Sequence, residues 1–214
     1  MKFPSKFVIV SLAVSLAYSG AMSIAGSTAS ATEAVSGKFA NWNSAAAELG
    51  FNGGLYQPQS RVGLRQDGPI EVLAFGGSSK SARPYAQTSV TASYGNTNKN
   101  FIIDQKWTST SWAARPTVNP ARRLVGKAKV TLDSGIQIPV MVYANCNINV
   151  VDATAPPRKK CLKRDVLAYG GSVELQVPPA GSANSNGRND VVIRSKGLSY
   201  ADLLKVVSGL KRVT

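Results

Sequence analysis

The stretch from Arg123 to Val151 constrains this chain most, because its apolar residues recur at every second position, a pattern that a strand buries and a helix does not. Leu124, Gly126, Ala128, Val130 and Leu132 alternate with Arg123, Val125, Lys127, Lys129 and Thr131. After Asp133-Ser134-Gly135 the alternation resumes as Ile136, Ile138, Val140, Val142, Ala144, Cys146, Ile148 and Val150. These stand opposite Gln137, Pro139, Met141, Tyr143, Asn145, Asn147 and Asn149. A strand turns successive side chains to opposite faces, so each run has one apolar face and one polar, partly basic face. A three-residue loop with Gly135 in the left-handed conformation pairs Leu132 with Ile136 and brings both apolar sets to one face of a hairpin. A two-residue turn would separate them. The three-residue loop is therefore predicted, with Cys146 turned inward beside Ile148.

The same language runs through most of the chain. Short runs of Val, Ile, Leu, Thr and Tyr, divided by Gly, Asn, Pro and Ser clusters, give candidate strands at 61–66, 70–75, 85–94, 100–107, 123–132, 136–150, 165–169, 172–177 and 190–194. The expected fold class is all-β, mainly an antiparallel β-sandwich of about 7–9 strands, with a short C-terminal amphipathic α-helix. Residues 32–60, rich in Ala, Asn and Gly, read as a loosely structured lead-in with one helical candidate at 44–49; residues 61–214 read as the single sandwich domain. The small polar stretch 178–190 reads as a mobile loop within it.

The helix is expected over 199–211. Ser199-Tyr200-Ala201-Asp202 matches a capping box, Tyr200, Leu203, Leu204, Val207 and Leu210 recur at helical spacing, and Gly209 stands where a helix can stop. That stripe either covers the sheet of its own chain or serves as an assembly helix that docks into a neighbouring copy.

At the other end, Met1-Lys2-Phe3-Pro4-Ser5-Lys6 is basic, an apolar run follows from Phe7 to about Tyr18, and Ala29-Ser30-Ala31 offers a small-x-small cleavage pattern. This order predicts a signal peptide over 1–31 and an exported product, periplasmic, at the cell surface or extracellular, with no membrane span after removal. Cys146 and Cys161, the only cysteines, are then expected to form a disulfide in an oxidising compartment. It would pin the basic excursion Asp152–Lys160, stiffened by Pro156-Pro157, at its base.

Several chemistries are missing. The chain has no histidine, which removes the Ser-His-Asp and Cys-His constellations and leaves two thiolates short of a zinc shell. Ser208-Gly209-Leu210-Lys211 lacks the companion motifs of serine acyl transfer, and no glycine-rich phosphate loop is present; Gly53-Gly54, Gly76-Gly77 and Gly170-Gly171 read as turns between strands. Glu71, Asp104, Asp133, Asp165 and Glu174 stand singly, at predicted turns or on polar strand faces. Trp107, Trp112, Tyr85 and Tyr94 read as core rather than as a stacking platform. No cofactor is expected, and no enzyme, the alternative being a carboxylate-based one in which two of these acids converge in a concave pocket.

Positive charge is what remains. The formal net charge is +14, and loss of Lys2 and Lys6 with the leader takes it to +12. Arg122, Arg123, Lys127 and Lys129 mark the outward side of one strand near Tyr143, while Arg158, Lys159, Lys160, Lys163 and Arg164 surround the cysteine-pinned excursion. Two functions follow as expectations. One is an exported, non-enzymatic subunit of an envelope, fibre or shell, whose partners are copies of itself or other envelope proteins. The other is a polyanion-binding module for acidic polysaccharide, lipid headgroups or nucleic acid.

Overall fold

Period-two burial organises the whole sheet. The computed structural model describes residues 34–49, 55–75, 87–108, 121–132, 135–146, 160–177 and 188–213, all within the unit Thr32–Thr214. Along the chain run β1 (Ala34–Phe39), α1 (Trp42–Leu49), β2 (Tyr56–Pro58), β3 (Ile70–Phe75), β4 (Gln87–Gly95), β5 (Asn100–Thr108), β6 (Arg123–Thr131) and β7 (Gln137–Ala144). They are followed by α2 (Asp165–Tyr169), β8 (Gly171–Val177), β9 (Arg188–Lys196), α3 (Tyr200–Ser208) and β10 (Leu210–Arg212). Eight strands form one antiparallel sheet in the order β1-β3-β4-β5-β9-β8-β7-β6, and β2 pairs with β10. The sheet is thus two four-stranded meanders that meet at the β5–β9 seam. The fold is all-β and sandwich-like, as expected, with β2–β10 and the helices as its second layer.

One face of the sheet is apolar because cross-strand partners keep the same phase. A single register line joins Ala92, Ile103, Ile193, Val173, Val142 and Gly126 across six strands. Except for Gly126, each of these is buried, and removal of one such aliphatic side chain from water contributes about 1.5–3 kcal/mol. Over this face lie α1, whose Trp42 indole N–H donates to the Tyr94 hydroxyl at 2.8 Å, and α3, which touches β6 and β8. Tyr94 itself is buried and stacks on Phe101, so the core reading holds for it; the Trp112 and Tyr85 side chains and that of Trp107 lie outside the described residues.

The central hairpin has the predicted loop. Leu132 N–H donates to Ile136 O, Gly135 N–H donates to Leu132 O, and Gly135 adopts φ +76°, a conformation that a side chain disfavours. The alternation fails at one point, however. The β6–β7 register shifts between Leu124 and Gly126, so a bulge turns Leu124 out to 47% exposure and tucks Val125 against the core, the reverse of the expected phase. Ile136 also stays exposed at the loop, while Cys146 is fully buried as predicted; Ile148 and Val150 lie outside the described residues.

Other expectations are corrected. The segment 61–66 is not a strand, because Val62 and Gly63 both take positive φ and fold it into a turn; only Gln66 retains a bridge, to Tyr94. Residues 165–169 form α2 rather than a strand. Leu162 N–H donates to the Asp165 carboxylate at 2.7 Å at its start, and Gly170, at φ +77°, ends it where an added Cβ would lie 2.6 Å from Ser195 O. The 32–60 lead-in is not loose over its described residues: β1 pairs with β3 and extends the sheet domain upstream of 61, α1 occupies the helical candidate, and β2 pairs with β10. Finally, the helix predicted over 199–211 stops at Ser208. Ser199 caps it, its hydroxyl accepting from Asp202 N–H, and the chain then straightens into β10, held by β2. Residues 188–190 of the expected loop belong to β9, and the rest of it lies outside the described residues. Among the described residues no helix is long and apolar enough to cross a membrane.

Candidate functional site

The second face of the sheet carries the charged side chains. Its central register line runs Lys38, Glu71, Thr91, Asp104, Val192, Glu174, Met141 and Lys127, from one edge of the sheet to the other. Three acids that stand apart in the sequence therefore fall on one line, each two strands from the next. A base neutralises each of them. Lys38 Nζ lies 3.4 Å from Glu71, Arg194 pairs with Asp104, and Arg122 pairs with Glu174. Asp104 also accepts from the Thr91 hydroxyl at 2.8 Å.

These pairs differ in strength by their solvation. Lys38 and Glu71 are mostly exposed, and such a pair contributes between nothing and about 1 kcal/mol. Arg122 and Glu174 are each largely buried, and the Arg122 guanidinium also lies 3.9 Å above the Tyr143 ring. Burial raises the Tyr143 phenol above its ordinary value and the Glu174 carboxylate adds to this, with Arg122 opposing. The phenol donates to Met141 Sδ at 3.4 Å, so Arg122, Tyr143, Glu174 and Met141 form one connected group on the open face. Beside it a shallow groove of about 640 Å³ crosses β6 to β9, lined among others by Lys127, Pro139, Met141, Glu174 and Asp190. A second depression of about 330 Å³ lies near β1, between Ser36, Glu71, Leu73 and Thr91. Glu174 and Asp190 both line the first of these, and among the described residues no three His, Cys, Asp or Glu side chains gather as a metal site would require.

The predicted site residues distribute as follows. Cys146 and Cys161 form the disulfide, joining the end of β7 to the approach to α2 with Cα atoms 6.1 Å apart. Arg122 sits against Tyr143, as the sequence placed it, but its charge is taken up by Glu174. Arg123, Lys127 and Lys129 are exposed along β6, which is an edge strand. Lys160, Lys163 and Arg164 are exposed just before α2; Arg158 and Lys159 lie outside the described residues. Leu203, Val207 and Leu210 are buried, and Tyr200 and Leu204 are half-buried, against the chain's own core. The stripe expected of an assembly helix is therefore occupied within the chain.

Two features escaped sequence reading. Gln105 shares the phase of Phe101 and Ile103 and so points into the core, a signal visible in the alternation of β5. Tyr200 links the two basic segments: its ring fills the space beside Gly126, and Lys163 Nζ lies 4.8 Å over the same ring. No local pattern announces that contact. No protein-family model, characterised protein or solved structure shows significant similarity to this chain.

Proposed function

We propose that the protein is an exported, non-enzymatic subunit of a cell envelope, fibre or shell that works by contact through the open face and the β1 edge of its sheet. The observation that carries this reading is the eight-stranded sheet itself, covered on one face only among the described residues. On the other face Leu73 and Met141 are each more than two-fifths exposed, and among the described residues no strand pairs with the outer side of β1. Strand edges are templates for pairing unless they are blunted. The β6 edge is blunted, by its bulge and by Lys127 and Lys129; β1, Ala-Val-Ser-Gly-Lys-Phe, has a single charge. Export is supported by the basic, apolar and small-residue order of residues 1–31 and by the disulfide, which suits an oxidising compartment. A contact role rather than catalysis is supported by the absence of histidine and by acids that lie neutralised on an open face.

Light scattering after size exclusion, on the chain from Thr32 onward, tests the reading. The expected result is a mass above the monomer that grows with concentration and returns to the monomer in Leu73→Glu and Met141→Glu. A strict monomer over a wide concentration range overturns it.

A further inference from the structure

We infer that the rim of the sheet along β6 binds a linear phosphodiester polymer, through Arg123, Lys127 and Lys129 on the strand and Lys160, Lys163 and Arg164 ahead of α2. The two groups are about thirty residues apart in the chain, and Tyr200 brings them together. A Cβ built on Gly126 would meet the Tyr200 hydroxyl at 2.6 Å and ring carbons at 3.0–3.1 Å, so the ring lies directly on β6. Lys163 Nζ rests 4.8 Å above that ring. Lys127 and Lys129 project from the opposite face of the same edge strand, so Lys163 and these two lysines flank it on its two sides.

The nearby acids among the described residues do not cancel this charge. Glu174 is held by Arg122, Asp165 is buried and accepts from Leu162 N–H, and Asp202 is engaged by Ser199 and, at 3.9 Å, by Lys205. Lys127, Lys129, Lys160 and Arg164 have no ion-pair partner among the described residues. The groove on the open face shares Lys127 with the rim, but the other charged side chains that line it are the acids Glu174 and Asp190. Four bases without an ion pair therefore belong to these two segments.

The chemistry of the rim also selects the ligand class. One face of each of two nearby rings already carries a cation, Tyr143 that of Arg122 and Tyr200 that of Lys163, which favours contact to backbone charge over stacking of a base or sugar. Four of the six bases are lysines, which act as point charges rather than as planar forks for single carboxylates. Side chains two apart on a strand stand about 7 Å from one another. Lys127 and Lys129 thus match the spacing of successive phosphates along an extended strand, which is closer than the charges of a polysaccharide with one uronic acid per disaccharide, such as hyaluronate.

The rim is complete within one chain and does not depend on self-assembly. Its test is fluorescence anisotropy or competition at protein concentrations where light scattering shows one oligomeric state throughout, with three probes: labelled oligothymidylate, poly(glycerol phosphate) and hyaluronate. Binding of either phosphate polymer, with a logarithmic salt slope of about −0.7 per phosphate neutralised on a single strand, is expected. Lys127→Gln/Lys129→Gln/Lys163→Gln should weaken it by about tenfold or more and flatten the slope, while Lys38→Gln/Lys106→Gln leaves it unchanged. Thermal melting of each variant separates lost binding from lost folding, and Lys127→Gln/Lys129→Gln alone, on an exposed edge, provides the readout if Lys163→Gln unfolds. Which of the two phosphate polymers binds identifies the source, and either supports the rim. Equal or tighter binding of hyaluronate, absence of phosphate-polymer binding, or equal loss in the Lys38/Lys106 variant overturns it.

Discussion

Gln105 supplies both hydrogen bonds that the backbone of Tyr56 would otherwise find in a neighbouring strand: Tyr56 N–H donates to Gln105 Oε1 at 2.9 Å, and Gln105 Nε2–H donates to Tyr56 O at 2.5 Å. The amide sits on the buried face of β5, so one side chain anchors the second layer to the first. A buried peptide group left unpaired costs about 1–3 kcal/mol. Gln105→Leu strands two such groups and should destabilise the protein by about 2–5 kcal/mol, with β2 and β10 losing amide-exchange protection before the main sheet. Urea unfolding with hydrogen exchange measures both. Unchanged protection of Tyr56 would show that the amide is not the anchor.

The bulge in β6 makes opposite predictions for adjacent residues. Leu124 faces water and Val125 packs on the core, although strict alternation assigns them the other way round. Leu124→Lys should shift stability by no more than about 0.5 kcal/mol, and Val125→Lys should cost about 1–3 kcal/mol. Paired urea midpoints decide between bulged and unbulged registers.

Removal of the disulfide should cost about 3 kcal/mol, since Cys146 and Cys161 close a loop with a sequence separation of 15. Reductant should lower the urea midpoint of the parent chain and leave that of Cys146→Ala/Cys161→Ala unmoved. If reductant shifts both alike, its effect lies elsewhere.

Burial pushes the Tyr94 phenol above its ordinary value, with the Trp42 hydrogen bond and the Arg61 charge opposing. In the unfolded chain a tyrosine titrates near about 10. The unfolded state therefore loses its proton first, and this contribution to stability is complete below that pH and lost as pH rises through the folded value. Tyr94→Phe should flatten the alkaline fall in stability, apart from the slope that Tyr143, shifted in the same direction, retains. At neutral pH the same variant should be about 1–3 kcal/mol weaker, because the buried Trp42 N–H loses its acceptor. Melting temperature against pH between neutrality and strong alkali reads both effects.

The sequence by itself determined which local patterns had a single solution. Period-two burial specified β3 to within a residue, the loop around Gly135 and the inward Cys146, while Ser199 and Asp202 marked the start of α3. Each of these is a matter of near neighbours: alternation, a turn length, a cap. Tertiary structure decided the rest. Residues 165–169 carry strand-forming side chains but lie between a disulfide and the Gly170 turn, where Val166 is the one fully buried apolar side chain and one helical turn provides for it. Leu210 to Arg212 leave the helical stripe because β2, some 150 residues upstream, offers a ladder partner. The order of the strands, the bulge that reverses Leu124 and Val125, and the meeting of Gly126, Tyr200 and Lys163 all depend on residues remote in the chain. Pairwise spacing along a sequence carries the period of burial; the identity of what covers each face is a property of long-range contacts, and those exist only once the sheet has closed at β5 and β9.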